Sequence, residues 1–363
     1  MSPFIILTAI FILYMFSKPR FLFFLNREGA YLTRDWCSFV NALFISLVVC
    51  SHGLNLFQTN IRGYFIENFA EVAVNAFGQL MVTTFFFFSG YGIMLSLLNR
   101  EGYATKLIFP RFVKICLNFC IAVAIYFIVH CILHAEINWS CFLGGLHSFS
   151  VLGNPTWFIL MTLLSYVIAY VCFILTGKKR PYIFIFSLTS VLVISIYLIN
   201  KVKPDHWVNT VLCFPAGMLY YLKGAKLEAL LKKTRLPSIA FAIVFMIMGR
   251  VMYSLHAWPN IYTENMGGIL FALGATWFFG SFSWQRPSRF LIWLGGSGLF
   301  VVYMFHLLPM KILTHFGINN ANAYLVWFIV ISSSAILALV AGQVFKKLDR
   351  LLSLLSISPS KSH

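Results

Sequence analysis

Ten apolar runs, each about the length of a membrane-crossing helix, recur between residues 36 and 345, with only short polar stretches between them. They cover 36–57, 72–98, 107–134, 155–176, 181–200, 206–222, 237–256, 266–284, 289–312 and 322–345, with 206–222 the marginal one. About 20 apolar residues in a helix cross the hydrocarbon core of a bilayer. Lipid leaves no partner for a bare backbone, so helices and closed barrels are the spanning folds. The chain is 60% hydrophobic and 10% charged, where soluble domains carry roughly 25% charged residues. The expected fold is an all-α polytopic membrane protein with a ten-helix transmembrane core and no soluble domain.

Basic residues set the expected orientation. With the start of 36–57 placed in the cytoplasm, 22 of the 27 Lys and Arg fall in cytoplasmic connections, leaving Arg62, Lys201, Lys203, Arg250 and Lys311 outside or in outer helix halves. Cytoplasmic loops are the ones enriched in Lys and Arg. The net charge of +17 is explained by this bias, and no nucleic-acid partner is expected. The carboxyl terminus is expected in the cytoplasm.

The segment 3–16 is shorter. Its 14 or so residues rise about 21 Å, less than a hydrocarbon core of about 30 Å. It either spans, with the amino terminus outside, or lies in the interface; we take it as an eleventh helix. Its start lacks a charged leader and a small-residue cleavage site, so no cleaved signal peptide is expected. The chain then divides into an apolar segment with a basic connection (1–33), a membrane domain (34–345) and a basic cytoplasmic tail (346–363). The 8 cysteines are scattered, without a CxxC pair. Inside apolar runs cysteine acts as a small hydrophobe. Neither a metal site nor a permanently bound cofactor is expected.

Polar residues inside the runs carry the chemistry. An ionisable side chain in a membrane helix is costly and tends to be functional. His52 lies near the far end of 36–57, about 24 Å from the cytoplasmic end at helical pitch. Ser38, Asn41, His52 and Asn55 fall within an arc of about 100° on that helix, and Asn75, Gln79, Thr83, Ser89 and Gly90 form a similar stripe on the next. Two such stripes on neighbouring helices would line a shared polar cleft; interhelical hydrogen bonding alone is the plainer alternative. An imidazole there suits a general base, since its pKa is near operating pH. The glycines of FFFFSGYG (Phe85 to Gly92) permit either a local break or close helix packing. The turn PRFVK follows, placing Arg111 and Lys114 three residues apart at a helix start. Such a site suits phosphate, although the positive-inside bias also demands basic residues there. Arg250 either snorkels outward or lines the cleft, and His306 lies mid-run beside Tyr303 and Lys311.

Taken in order, these features resemble acyltransferase family 3, the integral membrane O-acyltransferases that modify cell-surface glycans. The resemblance spans about residues 34–345. It rests on a basic start, His52 late in its helix, FFFFSGYG, the Arg111/Lys114 turn, NPTWFIL (Asn154 to Leu160), FPAGML (Phe214 to Leu219) and GGSGLFVVYMFH (Gly295 to His306). It implies that His52 is the essential histidine and that Arg111 and Lys114, with Arg34, engage an acyl-CoA donor. Ser89, Gly90 and Tyr91 match the third-span motif. Asn41 departs from the family, whose members commonly carry Arg or Lys eleven positions before the histidine.

The activity expected from this resemblance is transfer of an acyl group, acetyl in the first instance, from cytoplasmic acetyl-CoA or another acyl-CoA to a hydroxyl of a glycan or its lipid-linked precursor. Tyr91 and Asn55 are the candidate oxyanion donors. Asn41, Asn75, Gln79, Ser89, Gly90, Arg250 and His306 are expected to line the cleft. A bacterial inner membrane is implied by the resemblance. A transporter or flippase of a lipid-linked sugar is the alternative, supported by a polar cleft and a basic inner face. The absence of internal repeats and of an embedded acidic residue counts against it. A glycan polymerase would be expected to carry a large outer loop, which is missing.

Overall fold

A computed structural model describes residues 18–21, 32–57, 78–106, 111–147, 152–233, 238–254, 260–284, 288–317 and 323–355. Helices dominate. In chain order they are α1 (Arg34–Phe57), α2 (Thr83–Asn99), preceded by the 3-10 turn Gly78–Val82, the one-turn α3 (Tyr103–Lys106), α4 (Val113–His134), α5 (Trp139–His147), α6 (Trp157–Thr176), α7 (Pro181–Asn200), α8 (Cys213–Lys233), α9 (Ser238–Ser254), α10 (Ile261–Gly280), α11 (Arg289–Gly295), α12 (Leu299–Phe305), α13 (Leu307–His315) and α14 (Ala323–Leu355). Among the described residues the expectation of an all-α chain has one exception: β1 (Pro19–Phe21) pairs antiparallel with β2 (Phe282–Trp284). The segment 3–16 lies outside the described residues.

Six of these helices are long and apolar enough to cross a membrane, and seven if the bent pair Arg289–Gly295 and Leu299–His315 forms one span. Among the described residues the ten-helix count is thus not confirmed. Three helices fall short for physical reasons. Ile239–Ser254 is too short. Helix α10 carries Glu264, Asn265 and several glycines, and the second half of α8 is rich in Lys and Glu. The run 206–222 also shifts: Asp205–Trp207 is a 3-10 turn, and α8 starts at Cys213 and continues past the end of that run to Lys233. Pro215 fits because it lies in the first turn, where its missing N–H is not needed. The stretch between the runs 107–134 and 155–176 holds α5, whose Trp139 and Phe142 pack on Phe127 of α4.

Between helices in lipid there is little hydrophobic drive, so close packing and small residues bring them together. Two of the motif glycines do this reciprocally. A Cβ on Gly90 would lie 1.9 Å from the Phe214 carbonyl oxygen, and one on Gly217 would lie 1.9 Å from that of Phe87. Helices α2 and α8 therefore touch backbone to backbone. Gly295 of α11 meets α1 in the same way, 1.8 Å from the Ser38 carbonyl oxygen. Aromatic rings fill the spaces around these contacts.

Contacts between helix ends divide the molecule into two poles. At one, Lys203 Nζ donates to the His147 carbonyl (3.2 Å), Lys311 Nζ donates to the Leu152 carbonyl (2.9 Å), and the rings of His134 and His315 lie 5.0 Å apart. At the other are the β1–β2 ribbon, the Asn99–Tyr221 hydrogen bond (2.7 Å), Lys223 over the Tyr182 ring, and Arg111 with Tyr103. His52, late in α1, belongs to the first pole. Arg34 and Arg111 belong to the second.

Candidate active site

His306 stands where the chain breaks between α12 and α13. Pro309 explains the break: it has no N–H for the Phe305 carbonyl, and its ring crowds that turn. The His306 side chain is fully buried. Its Nδ1 lies 2.8 Å from the Tyr303 carbonyl oxygen and 3.2 Å from that of Val302. A carbonyl can only accept, so Nδ1 carries the proton and Nε2 presents a lone pair. That Nε2 is buried without a hydrogen-bond partner. The His52 ring lies 5.1 Å away, centroid to centroid. His52 retains accessible surface. An open imidazole thus backs onto a closed one whose basic nitrogen is unused.

A second constellation forms around Tyr166 of α6. Its hydroxyl and Ser89 Oγ of α2 are 2.7 Å apart. The Arg111 guanidinium stands 5.1 Å from the centre of the same ring and donates to the Tyr103 hydroxyl at 3.3 Å. Tyr166, and then Tyr103, favour the charged guanidinium and raise its pKa, while burial opposes them. Ser89 and Arg111, singled out separately in the sequence, therefore share one tyrosine that sequence reasoning missed. Lys114 is exposed one turn along α4, and Arg34 is exposed at the start of α1.

Helix α6 connects the two constellations. Phe158, two turns before Tyr166, packs on Phe86 (4.8 Å) and Tyr303 (5.0 Å), and Tyr303 packs on His306 (6.0 Å). Eight residues of helix separate Phe158 from Tyr166, a rise of about 12 Å. Along α4, Tyr126 donates to the Met304 carbonyl at 2.9 Å beside the histidines, and buried Asn118 lies between that level and Arg111 with its Oδ1 unpartnered.

Two sequence assignments need correction. Tyr91 is not beside His52. It packs on Tyr221 (5.4 Å) and lies within electrostatic range of Cys37, while neighbouring Phe88 meets Trp36 (5.8 Å). Cys37 and His52 are 15 residues apart on α1, about 22 Å along the axis. The α1–α2 pair is antiparallel, so the end of the second run returns to the start of the first. Tyr91 therefore cannot serve as the oxyanion donor for chemistry at His52. Gly90 lines no cleft either; it is the buried contact with Phe214.

Asn41 is buried with its Oδ1 unpartnered. The Asn55 side chain and Asn75 lie outside what is described. Arg250 is half-buried, within electrostatic range of Tyr253. Gln79 belongs to a polar cluster at the His52 pole: its Oε1 accepts from Asn209 Nδ2 and from the Tyr253 hydroxyl, both at 3.0 Å. Glu228, not singled out in the sequence, is buried and accepts from the Tyr220 hydroxyl at 2.5 Å. Among the described residues no group of three or more His, Cys, Asp or Glu is arranged to hold a metal.

No curated protein and no solved structure gives a significant match to the chain. The family model described as an acyltransferase domain matches residues 35–343. That stretch contains both histidines, Tyr166 and Arg111, and the chain belongs to acyltransferase family 3, as a multi-pass membrane acyltransferase.

Proposed function

We propose that this chain is an O-acyltransferase that moves an acyl group, acetyl in the first instance, from acyl-CoA to a hydroxyl of a cell-surface glycan or its lipid-linked precursor. The observation that carries the reading is the pairing of accessible His52 with buried His306, whose Nε2 has no partner. The donor's phosphates engage Arg111 and Lys114 at the basic pole, and its thioester arm runs along α6 toward the histidines. At the reacting centre the acceptor oxygen attacks the thioester carbonyl carbon. One nitrogen of His52 takes the hydroxyl proton as the new C–O bond forms. The C–S bond breaks, and the proton passes to the leaving thiolate to give free CoA. His306 Nε2, unpartnered at rest, accepts from the other nitrogen of His52 as that ring takes up the proton and turns toward it, and so shares the positive charge as it develops. The location is a bacterial inner membrane with the basic pole and carboxyl terminus in the cytoplasm, the side on which acyl-CoA is made.

The flippase reading keeps one observation in its favour: Glu228 is a buried acid of the kind a coupled carrier uses. Purified chain in liposomes, supplied with acetyl-CoA labelled in the acetyl group and a bacterial polysaccharide acceptor, separates the two. Label bound to the saccharide through an ester supports acyl transfer. Movement of lipid-linked sugar between leaflets with no labelled ester supports the carrier.

A further inference from the structure

At the His52 pole, side chains from four parts of the chain meet around the amide of Asn209, which is 2% exposed. Asn209 Nδ2 lies 2.7 Å from the Tyr253 hydroxyl, 2.9 Å from Glu264 Oε2 and 3.0 Å from Gln79 Oε1. An NH2 group has two hydrogens for these three acceptors. The Tyr253 hydroxyl also donates to Gln79 Oε1, and one hydrogen of Gln79 Nε2 goes to the His206 carbonyl, outside this group of side chains. Asn209 Oδ1 accepts nothing. A buried acceptor left unmet is costly. The cluster therefore has more acceptors than donors, and Asn209 Oδ1 is left wanting a hydrogen.

The cluster has an open side. Gln79, Tyr253 and Glu264 are only half-buried, as is Trp157, whose indole meets the His206 ring at 6.2 Å. Burial holds the exposed-edge imidazole of His206 below its ordinary pKa, with Asp205 partly offsetting it, so this ring adds no charge at neutral pH. Ring contacts continue from Trp157 through Phe158, Tyr303 and His306 to His52. The 3-10 turn bearing Gln79 packs directly on α1, the helix of His52. The cluster thus shares a pole with His52 and faces away from the basic pole.

We propose that Gln79, Asn209, Tyr253 and Glu264, with Trp157 as a stacking face, bind the sugar unit that receives the acyl group. A sugar hydroxyl donates to the unmet Asn209 Oδ1, others meet the half-buried edge of Gln79, Tyr253 and Glu264, and the sugar's C–H face lies on the indole. This proposal rests on the acyl-transfer reading for the sugar's role, but binding itself is tested apart from it.

The test is saturation-transfer NMR on the detergent-purified chain, with methyl glucoside, methyl galactoside and methyl N-acetylglucosaminide as probes. At least one probe shows transfer, Asn209→Ala abolishes it, the near-isosteric Glu264→Gln and Tyr253→Phe weaken binding about fivefold or more, the scale of one lost hydrogen bond, and His52→Ala leaves it intact. No transfer from any probe, or transfer unchanged in both near-isosteric variants, overturns the site. If a probe binds in this Asn209-dependent way but takes no label from acetyl-CoA, the binding site stands and the acyl-transfer reading fails. If label is transferred while the acceptor KM is unchanged in Glu264→Gln and Tyr253→Phe, acyl transfer stands and this site fails.

Discussion

The rings of His52 and His306 lie 5.1 Å apart, one accessible and the other fully buried with Nε2 unpartnered. A buried polar atom without a partner costs about 1–3 kcal/mol. Here it backs the accessible ring of His52. Replacing His306 with Asn is expected to lower kcat by about 10²–10⁴-fold, the usual span for a lost acid–base contribution, with the donor and acceptor KM little changed. Steady-state kinetics on protein matched for amount and thermal midpoint checks this. A rise in KM with kcat unchanged would assign His306 to binding instead.

Arg111 is held in place by Tyr166 and Tyr103. Arg111→Ala is expected to raise the acyl-CoA KM by about 10–100-fold, the worth of a charge-assisted contact. Arg111→Lys should recover only part of the loss, because an ammonium neither stacks on the Tyr166 ring nor forks onto phosphate. Competition by free CoA against the labelled donor gives the same ranking without turnover.

Tyr166→Phe removes the 2.7 Å contact with Ser89 but leaves the ring under Arg111. The expected loss is about 1 kcal/mol, seen as a several-fold rise in donor KM. Tyr166→Ala removes the ring as well and should approach the Arg111→Ala value.

Gly90→Ala and Gly217→Ala each place a methyl group 1.9 Å from a carbonyl oxygen of the facing helix. Each is expected to lower stability by about 1–3 kcal/mol or more, read as a lower thermal midpoint in detergent. Gly92, in the same motif, has nothing within 4 Å of its added Cβ. Gly92→Ala should therefore be neutral or slightly stabilising, because alanine is the better helix former.

Much of this arrangement is legible in the sequence because lipid restricts what an apolar run can do. Within the described residues each of the ten runs is mainly helical, and His52, Arg111 and Ser89 stand out as polar groups where polarity is expensive. What periodicity could not give was which helices meet. Tyr166 reads as one more aromatic in an apolar run, yet it joins Ser89 to Arg111. Asn209 and Tyr253 gain meaning only when the connection after α7 folds onto α9 and α10. Tyr91 was misassigned because adjacency to the SGY motif in sequence hides the antiparallel return that separates it from His52. Glu228, amid Lys residues in the sequence, was not singled out; the structure buries it against the Tyr220 hydroxyl.

The most direct test of the central claim replaces His52 with Ala and measures acetyl esters on surface polysaccharide by mass spectrometry, at matched membrane levels of the two proteins. The account predicts that esters present with the unchanged chain disappear with the variant. Ester content equal to that of the unchanged chain would contradict it.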